Sequence, residues 1–216
     1  MIRSGILAFL LAVSVATVPA QSGVHGGVHG GILVARFDAP LDEIFGVGFG
    51  GGLHIDLTPL SVLTFRVNGD YHTFPSDKGK LASLLAQGFS VGGNPAEASN
   101  ITVTGFAVNT WSVSVSAIGR IPTGSIEPYA IAGVGYYTLS GTDASVNYQG
   151  IGDITVDLRN LGVIGTPETQ HAAGVSVGGG LEFVLGTSRL FVEGRYVRIL
   201  TDPVNEYLPI TLGFIF

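Results

Sequence analysis

The chain has 216 residues, a formal net charge of −6, and 12% charged residues against 46% apolar ones, about half the charged share of an ordinary soluble domain. It contains 33 Gly and no Cys, which excludes disulfides, a thiolate metal site and a lipidated N-terminal cysteine. The acidic balance excludes nucleic acid as a partner, because phosphate binding needs a basic patch.

Residues 1–20 read as a secretory signal peptide. Arg3 supplies the positive start, Ile6 to Val18 the apolar stretch, and Val18-Pro19-Ala20 the small residues of a cleavage site. The mature chain is expected to begin at Gln21, with one domain over 21–216. The mean hydropathy of +0.47 suits a membrane protein. Yet no mature segment offers the roughly 20 consecutive apolar residues of a spanning helix. What remains is a closed β-barrel, the other structure that satisfies every backbone polar group in lipid.

Eight runs follow in chain order: 27–37, 44–57, 61–73, 101–118, 126–140, 171–185, 189–200 and 207–216. The third shows the pattern most cleanly. Leu63, Phe65, Val67 and Tyr71 share one face, and Thr64, Arg66, Asn68, Asp70 and His72 the other, a period of two rather than of 3.6. The second sets Phe45, Val47, Phe49, Leu53, Ile55 and Leu57 against Gly46, Gly48, Gly50, Gly52, His54 and Asp56. Its bare glycine face leaves room inside a narrow barrel for long neighbours such as Arg66. Within the fourth run, Trp111, Val113, Val115 and Ala117 oppose Thr110, Ser112, Ser114 and Ser116. The fifth carries Tyr on both faces and is given no sides.

The turns Thr58–Leu60, Arg120–Ser125 and Gly186–Ser188 are short, whereas Phe74–Asn100 and Gly141–Gln170 are long. Short turns at one end and long loops at the other are the asymmetry of an outer-membrane barrel. With eight strands, both termini fall on the short-turn, periplasmic side. One helix is expected over Asp77–Gln87, in the first long loop, where Leu81, Leu84 and Leu85 recur at helical spacing before Gly88. Its leucines are read as capping the barrel mouth.

The final run alternates Leu208, Ile210, Leu212, Phe214 and Phe216. With the segments Phe45–Leu53, Glu127–Tyr136, Gly178–Phe183 and Leu190–Tyr196, it makes nearly all of 21–216 resemble the outer-membrane protein β-barrel domain family, the OmpA/OmpX-like small eight-stranded barrels. The resemblance implies an all-β, antiparallel, up-and-down transmembrane β-barrel in the bacterial outer membrane, reached by export. It also implies Leu212, Phe214 and Phe216 as an assembly signal for the barrel-assembly machinery, and outer-membrane lipids as partners. No peptidoglycan-binding domain is expected after the barrel. The family hosts several functions, so it carries location further than activity.

Four charges, Arg66, Glu182, Glu193 and Arg195, are expected to point inward near the short-turn end. An eight-stranded barrel is only wide enough for side chains to fill it, and buried charges must pair. The expectation is a plug in which each Glu lies near Arg66 or Arg195. The tandem repeats carrying His25 and His29 place both imidazoles on one face, but no Cys or carboxylate completes a metal site. His72 beside Asp70, with Ser76 or Ser140, is the candidate set for a lipid-modifying enzyme. The leading reading is a non-enzymatic barrel with a plugged lumen and no cofactor or metal, whose role is envelope integrity or a surface interaction carried by its long extracellular loops, with any surface ligand unknown. A lipid-modifying enzyme and a narrow pore are the alternatives.

Overall fold

The structure is a computed structural model that describes residues 23–36, 44–88, 90–91, 94–161, 164, 168–202 and 204–216. The expected signal peptide lies outside the described residues.

Eight antiparallel strands close a barrel: β1 (Gly23–Arg36), β2 (Val47–Leu60), β3 (Leu63–Pro75), β7 (Ala107–Arg120), β8 (Ile126–Gly141), β11 (Thr169–Leu185), β12 (Ser188–Ile199) and β13 (Asn205–Ile215). Each pairs with its neighbour in sequence order, and β1 pairs with β13 to close the ring. Closure leaves no sheet edge, which is the condition for strands in lipid. Following the paired residues from Thr138 through Trp111, Tyr71, Gly51, Gly30, Leu212, Val192 and Leu181 returns to β8 at Pro128, ten residues away. That stagger tilts the strands, as closing a small barrel requires.

The alternation in the sequence becomes an inside and an outside. Leu53 is 67% exposed and Val113 62%, whereas Thr64, Arg66 and Glu182 are 0% exposed. The outside is apolar and the inside polar, the reverse of a soluble barrel and the arrangement that lipid demands.

The fourth expected run is two strands. Gly105 and Phe106 have φ of 78° and 60°, a left-handed step that no strand continues through. Ile101–Gly105 (β6) leaves the barrel and joins β9 (Ala144–Tyr148) and β10 (Gly152–Asp153) in a three-stranded sheet built from both long loops. β2 also runs through Leu60, with a register shift between Leu57 and Leu60, so the first tight turn lies at Ser61–Val62 rather than Thr58–Leu60.

The loop helix spans Lys78–Gly88 and buries Leu81, Ala82 and Leu85. Asp77 starts it by accepting the backbone N–H of Gly79 and Lys80, at 3.0 and 3.1 Å. A hairpin of β4 (Ser90–Val91) and β5 (Asn94–Pro95) and a helical turn at Ala98–Asn100 follow. The second long loop adds a short helix, Thr155–Asn160.

Candidate functional site: the barrel lumen

The lumen is filled in three layers, each set by which residues the period-two pattern turns inward. Nearest the short turns lies a chain of alternating charges. Arg66 donates from Nε and Nη2 to the two oxygens of Asp56, at 2.7 and 2.8 Å. These residues are register partners on β3 and β2, so the fork geometry follows from the pairing itself. Arg120, the last residue of β7, donates in the same forked way to Glu182, at 2.9 and 2.7 Å. Its Nη2 also stands 3.7 Å from Asp56. Arg189 Nη1 reaches Glu182 at 2.9 Å and Glu127 at 3.1 Å. On the other side, Arg66 Nη1 stands 3.6 Å from Glu193. Glu193 is bound by Arg195 and accepts from the Tyr129 hydroxyl at 2.8 Å.

The order is Arg195, Glu193, Arg66, Asp56, Arg120, Glu182, Arg189, Glu127, four cations interleaved with four carboxylates. The core of this chain is fully enclosed: Asp56 is 1% exposed and Glu193 3%. Burying each ion costs several kcal/mol in lost hydration, and only a paired arrangement offsets that. Phe191 closes one side, its ring 4.8 Å from the Arg66 guanidinium carbon. Glycines make the room. A Cβ at Gly180 would overlap the Tyr129 ring, and one at Gly213 the Phe191 ring.

Above the ions sits a layer of hydrogen-bonding groups. His29 Nε2 is 2.8 Å from Asp70 and its Nδ1 is 3.4 Å from His54. Ser112 donates to Asp70 at 3.4 Å, and Tyr207 stands 3.4 Å from His72. A cavity of about 30 Å³ lies among His29, Asp70, His72, Tyr137, Arg195 and Tyr207.

The loop end is closed by apolar packing. Leu33, Phe74, Leu139, Val197 and Ile199 point inward from the strand ends. They join Phe45, Leu81 and Leu85, and Ile101, Val103, Val146, Ile154 and Leu158 from the loop sheet and second helix, in one buried cluster. At the opposite end a cavity of about 260 Å³ opens among His25, Thr58, Ser61, Arg120, Glu127 and Arg189.

All four charges picked from sequence point into the lumen, but their pairing is broader than expected. Glu193 meets both Arg66 and Arg195, whereas Glu182 meets neither and is held by Arg120 and Arg189. Asp56, Arg120, Tyr129, Glu127 and Arg189 are members that sequence reasoning missed. Arg120 reads as the start of a turn in the sequence, yet it continues the inward parity of Ser114, Ser116 and Ile118. Arg189 likewise continues the parity of Phe191 and Glu193.

His25 and His29 both turn inward but serve different layers, and among the described residues there is no cluster able to hold a metal ion. Asp70 is engaged by His29 and Ser112. Neither Ser76 nor Ser140 is hydrogen-bonded to His72 among the described residues: the Ser76 hydroxyl is buried without a partner, and Ser140 faces Asn109 and Thr169 in register. Leu212, Phe214 and Phe216 lie on the outer, apolar face.

Residues 5–210 match the family described as outer membrane protein beta-barrel domain. Among solved structures, Neisserial surface protein A is similar with a TM-score of 0.53 at 16% identity, over 91% of this chain and 98% of that one. A major outer membrane protein from Thermus thermophilus is similar with a TM-score of 0.52 at 13% identity, over 90% and 99%. No curated protein sequence matches.

Proposed function

The chain belongs to the outer membrane protein beta-barrel domain family, and from that premise we propose that this outer-membrane barrel is a non-enzymatic, closed one whose long loops carry its contacts at the cell surface. The observation that supports this reading is the filling of the lumen from both ends, by the eight-member ion chain below and the apolar cluster above. A pore would need a continuous polar path, and the apolar cap interrupts it. The described residues of the two long loops fold into a three-stranded sheet, a two-stranded hairpin and two helices, which offer shaped elements for such contacts. Export would use the signal peptide at 1–20. Assembly would use the terminal strand with Leu212, Phe214 and Phe216, presented to the barrel-assembly machinery.

Lipid modification is the less supported reading, because His72 is coupled to Tyr207 instead of a serine. The full chain reconstituted into vesicles loaded with a small fluorescent sugar tests both points. The proposal expects retention of the sugar and unchanged lipid masses. Steady release, or a lipid product that disappears in His72→Ala, contradicts it.

A further inference from the structure

The outer face of the barrel carries one charged row. Among the described residues of the eight strands, every Asp, Glu, Lys and Arg turns inward except Arg36 on β1, Glu206 on β13 and Arg198 on β12. These three are aligned by register, Arg36 opposite Glu206 and Arg198 opposite Glu206. The ion pair between Arg198 and Glu206 is long, 3.8 Å, and the Arg198 side chain stays 48% exposed. Arg36 has no ion-pair partner among the described residues. Tyr196 lies one outward position below Arg198 on β12. The row is net cationic, and among the described residues its one ion pair is the long contact between Arg198 and Glu206.

Its height matters as much as its charge. The ten-residue stagger spreads over eight strands, just over one residue per strand. Levelled in that way, Arg36, Glu206 and Arg198 fall within about two residues of the height of Trp111 and Thr138 on the opposite wall. That wall carries the aromatic belt. Tyr71 and Trp111 have ring centroids 4.5 Å apart, Tyr136 stacks on His171 at 6.0 Å, and Thr138 bonds His171 at 3.1 Å. Amphipathic aromatic rings mark the boundary between hydrocarbon and headgroups. The charged row therefore sits at headgroup depth on the lipid side, with Ile32, Val34, Ile210 and Leu212 exposed below it.

We propose that Arg36 and Arg198 form a binding site for the phosphorylated headgroup of a membrane lipid in the loop-side leaflet. The two arginines stand two strands apart, about 10 Å between backbones, so their long side chains converge on one phosphate between them. Guanidinium suits phosphate through its planar fork. The Tyr196 hydroxyl, on the same outward row of β12, supplies a neutral donor, and Glu206 limits affinity by repulsion. The acyl chains would lie along the apolar faces of β1, β13 and β12.

The test is lipid retention by the full chain. Wild type, an Arg36→Gln/Arg198→Gln double variant and Glu206→Gln are reconstituted in phosphatidylcholine vesicles containing phosphatidic acid, extracted in mild detergent, and weighed by native mass spectrometry. Both leaflets hold the lipid, so the orientation of the barrel does not affect the result. Wild type should retain phosphatidic acid in preference to phosphatidylcholine. The double variant should lose about fivefold in that preference per arginine removed. Glu206→Gln should gain, which a misfolded variant would not do. Equal retention by wild type and the double variant, or loss in Glu206→Gln, overturns the proposal. So does displacement of the lipid by millimolar inorganic phosphate, which would make this a free-anion site.

Discussion

Arg66 and Asp56 are opposite one another in the β2–β3 register and are joined by two hydrogen bonds, 2.7 and 2.8 Å long, where neither side chain reaches solvent. Asp56→Ala therefore leaves a buried guanidinium without its forked partner and should cost about 3–5 kcal/mol in urea unfolding. Replacing both, as Asp56→Leu with Arg66→Met, removes the orphaned charge and should cost clearly less. Equal losses in the two variants would mean that the pair is not the unit of stability assumed here.

Arg120 and Arg195 make a contrasting pair of substitutions. Arg120 is buried and forked onto Glu182, whereas Arg195 lies at the end of the ion chain beside the polar cavity. Arg120→Gln should lower the unfolding midpoint more than Arg195→Gln, since it removes the buried, forked partner of Glu182 and leaves that carboxylate only the partly exposed Arg189. The reverse ranking would move the weight of the plug toward the polar layer.

Gly213→Ala tests the packing rather than the charge. The new methyl would strike the Phe191 ring, which is buried and lies over Arg66. Overpacking of this kind costs about 1–3 kcal/mol. Gly194→Ala, on the lipid side with open space around it, should be close to neutral. Heat-modifiable gel mobility and urea midpoints of the two variants separate these outcomes.

Outside the membrane span, Asp153 accepts hydrogen bonds from the hydroxyl and the backbone N–H of Thr155, and these hold its carboxyl below the usual range. A depressed value in the folded loop means that its contribution is complete above the ordinary carboxylate value. It declines as pH falls below that value and is gone once pH passes the lower folded one. Hydrogen exchange over residues 144–160, corrected for intrinsic rates, should show protection declining on that schedule. Asp153→Asn should flatten the dependence.

Strand parity was readable because lipid and lumen impose opposite chemistry on alternate residues, and Leu63 to His72 display that without exception apart from Gly69. The pairing inside the lumen was much less readable. Glu182 and Arg120 are 62 residues apart and meet only through the stagger of the closed barrel, which no local pattern encodes. Asp56 stood in a face of glycines and carried no mark of its forked partner. The loop sheet was hidden for a different reason. Ile101 to Ile118 keeps strand-like composition throughout, and only the left-handed backbone at Gly105 and Phe106 divides it. The inward apolar residues Leu33 and Phe74 were also obscured, because near the loop end the interior turns apolar and alternation loses its contrast.

Single-channel current across a planar bilayer tests the closed lumen most directly. Wild type should pass almost no ions, because the ion chain and the apolar cap both block the path. An Arg66→Ala, Arg120→Ala double variant leaves the cap in place and should remain nearly silent. Removing the cap as well, by Phe74→Ala with Leu139→Ala, should open a steady conductance. If wild type already conducts steadily, and the arginine variant changes only the preference between cations and anions, then the charges line a pore and the closed-barrel account is wrong.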